Sequence, residues 1–70
     1  MKKIKYLIEK ALEEENITLS PSDIISEIEG WDSLTSMVLV DLIENEYNID
    51  LEINEIEDMT VNQLNDLLDK

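Results

Sequence analysis

The stretch from Leu34 to Tyr47 limits the fold more than any other part of the chain. Leu34, Met37, Val38, Leu39, Val40, Leu42, Ile43 and Tyr47 make it apolar around much of a helical circumference. Asp41, Glu44, Asn45 and Glu46 leave a polar strip only towards its second half. A helix of this kind has to be packed on more than one side. The chain has 70 residues, near the lower size limit for a core without staples. The pattern therefore predicts a central helix from Asp32 or Ser33 to about Tyr47, surrounded by the other helices of a small bundle.

The flanking segments carry the complementary faces. Ile4, Leu7, Ile8, Ala11 and Leu12 follow the i, i+3, i+4, i+7, i+8 spacing of one helix face, which predicts a first helix from about Lys2 to Glu15, ended by Asn16. Glu13, Glu14 and Glu15 then crowd its C-terminal end, where the helix dipole disfavours acids. A long connection follows, roughly residues 16–32. Within it, Ser20-Pro21-Ser22-Asp23 reads as an N-cap, a proline at the first helical position and an acid in the first turn. A short helical turn is expected there, pressing Ile24, Ile25 and Ile28 onto the core. Gly30, the single glycine, marks a sharp change of direction before the central helix.

Ile49-Asp50-Leu51-Glu52-Ile53 alternates like a strand, but no second alternating segment offers it a partner. It is expected as an extended loop that buries Ile49, Leu51 or Ile53, followed by a short helical turn around residues 54–58. Thr60 and Gln63 form a capping box before Val61, Leu64, Leu67 and Leu68. The expectation is an all-α, four-helix bundle of three main helices and one short one, forming a single domain over residues 1–70. Leu7, Ile8, Leu12, Leu39, Ile43, Val61, Leu64 and Leu68 are its candidate groove-lining residues.

Composition narrows the function. The sequence has no Cys and no His, so it has no protein thiol and lacks the usual general base and the commonest transition-metal ligand. A chain this small also has little room to enclose a substrate. Carrying or binding is expected rather than catalysis, with no catalytic residue. Eighteen acids face five lysines, for a net charge of −13. The lysines lie at positions 2, 3, 5, 10 and 70, so residues 11–69 hold 17 acids and no base. Such a surface repels nucleic acid and anionic lipid and steers towards basic partners. Lys5, Glu9 and Lys10 interrupt the apolar residues of the first segment, so no secretory signal is read there. With no stretch long enough to span a bilayer, no membrane insertion is expected and the expected location is the cytoplasm. Asp50 to Asn54 places oxygen ligands at alternate positions, but the sixth position of a calcium loop, where glycine is required, is Glu55. No dedicated metal site is expected.

One pattern remains. Gly30-Trp31-Asp32-Ser33-Leu34 stands at the head of the central helix. Asp-Ser-Leu at this place resembles the attachment motif of the acyl carrier protein family, which includes peptidyl carriers. The order of the elements, a first amphipathic helix, a long loop, the motif, an acidic second helix and a last helix, is similar over essentially the whole chain. Ser33 offers an unbranched hydroxyl at a helix start, where unpaired N–H groups and the dipole favour a phosphate.

The resemblance implies that Ser33 carries 4'-phosphopantetheine from coenzyme A as a phosphodiester. The arm's thiol would hold an acyl or aminoacyl cargo as a thioester. It also implies that Asp32, besides capping the helix, helps a phosphopantetheinyl transferase position its metal ion. Leu34 resembles the residue that partner enzymes contact beside the arm. Met37, Asp41 and Glu44 lie 4, 8 and 11 residues after Ser33 and so share its helix face. In the family, acids of this helix meet basic docking patches, and Glu55, Glu57 and Asp58 would extend that surface. The implied partners are the transferase, an acyl or aminoacyl ligase or transferase, and downstream biosynthetic enzymes, met by a monomer. Fatty-acid synthesis, aminoacyl carriage and natural-product assembly all stay open as the pathway. Trp31 departs from the small residue many family members have before the Asp, and either packs under the loop or serves as a contact for a partner or the arm. The competing reading is an acidic, unmodified interaction protein that binds a basic surface.

Overall fold

The computed structural model describes residues 2–69. The apolar central stretch is α2, Ser33–Tyr47, preceded by α1, Lys2–Leu12, and a 3-10 turn, Ile25–Glu27. It is followed by α3, Ile53–Glu57, and α4, Val61–Leu68. No strand forms among the described residues. Ile24 and Thr60 make an isolated antiparallel bridge. The architecture is the all-α bundle expected from the apolar pattern, and it is acyl-carrier-like, as the family resemblance implied.

α2 packs against both α1 and α3, while α1 also meets α4. Leu39 and Ile43 on α2 are fully buried among Ile4, Leu7, Ile8, Ile25, Ile56, Val61 and Leu64. Burying each such side chain stabilises the fold by about 1.5–3 kcal/mol. α2 ends where Asn48 adopts the left-handed conformation (φ 58°, ψ 34°) and its N–H returns to the Glu44 carbonyl. Asn tolerates that conformation better than most residues.

α1 is shorter than its apolar spacing suggests. It stops at Leu12 rather than Glu15, because Glu13 turns left-handed (φ 58°). The Glu14 N–H then bonds the Glu9 carbonyl at 3.0 Å and the Glu13 N–H bonds that of Lys10 at 3.3 Å. These are the two hydrogen bonds of a Schellman termination. The Glu9 carboxylate also accepts from the Ile17 N–H at 3.2 Å, turning the chain back along α1. Glu14 and Glu15 therefore lie beyond the helix rather than within its last turn.

The connection to α2 also departs from expectation. Ser20 does not start a helix: the Asp23 carboxylate accepts from the Ser20 N–H at 2.9 Å and the Ser20 carbonyl accepts from the Asp23 N–H at 3.0 Å, closing a turn. The helical turn begins two residues after that turn closes at Asp23, at Ile25. Ile25 is fully buried and Ile28 half-buried, but Ile24 is exposed. The carbonyls of Pro21 and Asp23 instead accept from Asn62 N–H (2.9 Å) and Val61 N–H (2.8 Å), the first donors of α4. Thr60 Oγ1 accepts from Gln63 N–H at 3.1 Å and Gln63 Oε1 from Thr60 N–H at 2.9 Å. Each N–H of the first turn of α4 thus has a partner. The connection is fastened to α4 by the same bonds.

After α2, the alternating segment is a loop, with Leu51 buried, Ile49 half-buried and Ile53 exposed. α3 begins at Ile53, one residue before the expected turn, with the Glu52 N–H donating to Glu55 Oε1 at 3.2 Å. Of the candidate groove residues, all but Leu12 are buried in a closed core, and Leu12 is half-buried. A hollow of about 850 Å³ lies elsewhere, under the connection, between Leu12, Leu19, Ile28 and Gly30.

Candidate functional site at the head of the central helix

The site is built by the way the chain enters α2. Gly30 takes φ +83°, a conformation open to glycine at little cost. Trp31 N–H then bonds the Ile28 carbonyl at 3.0 Å, and Asp32 is fully extended. From that position the Asp32 carboxylate folds over the first turn. Its Oδ1 accepts from both the N–H and the hydroxyl of Thr35, each at 2.8 Å. The Thr35 N–H, then its hydroxyl, hold the Asp32 carboxyl below its ordinary range; slight desolvation opposes them and the Leu34 N–H adds to them. Asp32 is the helix cap that the sequence suggested.

Two residues then face outward and two inward. Ser33 and Leu34 are exposed, whereas Thr35 and Ser36 are buried, Ser36 completely. Met37, Asp41 and Glu44 are exposed on the same helix. The structure therefore brings Ser33, Met37, Asp41 and Glu44 onto one solvent-facing side of α2, with Leu34 and Val38 beside them. Glu55 and Asp58 are also exposed, but Glu57 is not: it is half-buried and accepts from the Ser36 hydroxyl at 2.9 Å. Its turn inward is explained by that bond, since leaving the Ser36 hydroxyl unpaired would cost about 1–3 kcal/mol.

Trp31 is half-buried against the core, and its indole N–H donates to Ser36 Oγ at 2.7 Å. Sequence reasoning missed Thr35, Ser36 and the link to Glu57. A signal was present: Ser36, Leu39 and Ile43 share one helix face, so a hydroxyl stood on the apolar side and required a partner.

The surroundings of Ser33 suit a phosphate ester. An exposed hydroxyl stands at the positive end of a 15-residue helix, and the adjacent carboxylate is occupied with Thr35. Among the described residues, no group of three or more acids is placed to hold a metal ion. No described helix is long and apolar enough to cross a membrane.

A family model described as the phosphopantetheine attachment site matches residues 2–68. The chain belongs to that family. No curated protein and no solved structure gives a significant match. As a phosphopantetheine-attachment domain, the chain is a carrier whose covalent group is 4'-phosphopantetheine. Carrier domains of this kind interact with modifying and biosynthetic enzymes. When bound, the group supplies a thiol, which this carrier has no cysteine to provide.

Proposed function

We propose that Ser33 is the residue that receives 4'-phosphopantetheine, and that the chain tethers acyl or aminoacyl intermediates on it as thioesters for delivery to biosynthetic enzymes. The observation that carries this reading is the contrast between the two serines of the motif region. Ser33 is exposed at the first position of α2, whereas Ser36 is fully buried and doubly hydrogen-bonded. Asp32 serves as helix cap and, with its carboxyl held ionised, suits a role in positioning the transferase's metal ion. Leu34, Met37, Asp41 and Glu44 form the docking face. Their acids meet basic patches on the transferase, on a loading ligase or acyltransferase and on downstream enzymes. In this reading the chain is a single-domain, monomeric, cytoplasmic carrier that holds its cargo without transforming it.

The test is intact-mass measurement of wild type and Ser33→Ala after incubation with coenzyme A, magnesium and a broad-specificity phosphopantetheinyl transferase. Wild type should gain one phosphopantetheine and Ser33→Ala none. Gain on both proteins would move the attachment to another residue. Gain on neither would favour an acidic interaction protein that works without modification.

A further inference from the structure

The entry into α2 is closed by two nested hydrogen-bonded brackets. The inner one joins Asp32 to Thr35. The outer one joins the Trp31 indole to Ser36 Oγ at 2.7 Å, and Ser36 Oγ passes its own hydrogen to Glu57 Oε2 at 2.9 Å. Ser33 and Leu34 are the only residues between the inner pair, and both are exposed while the residues closing the brackets from the helix side are buried. The outer bracket is tied at its far end to the last residue of α3. Three separate segments, the connection, α2 and α3, are thus locked together through one buried hydroxyl.

We propose that Trp31, Ser36 and Glu57 are positioning residues for phosphopantetheine transfer, fixing the Ser33 hydroxyl by holding the chain on both sides of it. The proposal rests on Ser33 being the attachment residue. In the step concerned, Ser33 Oγ bonds to the pantetheine-side phosphorus of coenzyme A. The anhydride P–O bond breaks, the adenosine bisphosphate half leaves with its electron pair, and the hydroxyl proton passes to a base of the transferase. That displacement needs the oxygen in line with the breaking bond, so a small displacement of Ser33 slows the step without weakening encounter. Ser36 has no exposed surface and cannot touch the transferase, so any effect of changing it on the rate must travel through position.

The experiment measures transfer kinetics with coenzyme A saturating and the carrier varied, for wild type, Ser36→Ala, Trp31→Phe, Glu57→Ala and Glu57→Gln. Folding is checked by far-UV circular dichroism. Trp31→Phe keeps a ring in the packing and removes only the donor. Each of the first three variants should lower kcat by about fivefold, the rate equivalent of one lost hydrogen bond, with KM little changed. Glu57→Gln, which keeps an acceptor oxygen, should recover most of what Glu57→Ala loses. The indole N–H resonance of Trp31, the single tryptophan, should shift and exchange faster in Ser36→Ala. Folded variants with wild-type kcat would overturn the proposal while leaving the attachment reading intact. A raised KM at unchanged kcat in Trp31→Phe, with Ser36→Ala unaffected, would overturn it in favour of Trp31 as a transferase contact. Failure of wild type itself to accept the arm would overturn the attachment reading, and this proposal with it.

Discussion

At the scale of single residues, the cap at the head of α2 depends on two groups three positions apart in sequence. Asp32 is legible as a cap because acid–Ser–Leu–Thr before an apolar helix has few other uses, and the structure adds that Thr35 binds it twice. Those bonds hold the Asp32 carboxyl below its ordinary 3.8. A carboxyl more acidic in the folded than in the unfolded chain stabilises the fold fully above its ordinary value. That contribution disappears as pH falls through the depressed folded value. Urea unfolding of wild type and Asp32→Ala across the acidic range should show a gap in midpoint at neutral pH that narrows as the solution is acidified through and below the ordinary value. A gap that persists unchanged at the acid end would assign the effect to the side chain's shape rather than its charge.

At the scale of elements, the helix ends differ in how well their residues suit them. α2 and α4 begin with good caps, and α2 finishes on Asn48, a residue at ease in the left-handed region. α1 does not. Its Schellman turn places Glu13 at φ 58°, where a side chain with a Cβ is disfavoured, and adds a negative charge at the negative end of the helix dipole. Glu13→Gly should therefore stabilise the protein by about 0.5–1 kcal/mol, despite the extra freedom it gives the unfolded chain. Thermal or urea unfolding measures this directly. A loss of stability would mean that the unfolded-chain entropy outweighs the relief at φ 58°.

At the scale of the molecule, charge and size act together. A net charge of −13 is confined to a body with Cα extents of 26 × 22 × 20 Å. The screening length is about 10 Å at 0.1 M salt and about 3 Å at 1 M, so the acids repel one another across much of the surface under ordinary conditions. Raising sodium chloride from a low level towards 1 M should stabilise the fold by roughly 1 kcal/mol, a rise in Tm of about 4–8 °C for a domain of this size. Calorimetry at several salt concentrations tests this, and a flat or falling Tm would show that the acids are already too far apart or too well hydrated to matter. On the docking proposed above, the same charge predicts a salt-sensitive encounter with a basic partner, so added salt should strengthen the fold while weakening that encounter.

How much of this was written in the chain follows from the range of each interaction. The periodicity of α1, α2 and α4, the Thr60–Gln63 box and the Asp32-Ser33-Leu34 motif were all legible, because a helix face and a cap involve residues three or four apart. The exposed face of α2 was legible for the same reason: positions 33, 37, 41 and 44 share a side of any helix that contains them. Only the tertiary structure decided where α1 stops, since that rests on a left-handed Glu13 and the return of Ile17 to Glu9. It alone decided that Pro21 and Asp23 give their carbonyls to α4 instead of opening a helix of their own. It also turned Glu57 inward, away from the acidic surface where composition would leave it. The Trp31–Ser36–Glu57 link spans 21 positions between Ser36 and Glu57. A local pattern can show that a buried hydroxyl needs a partner, but only the packing of α3 on α2 determines which carboxylate reaches it.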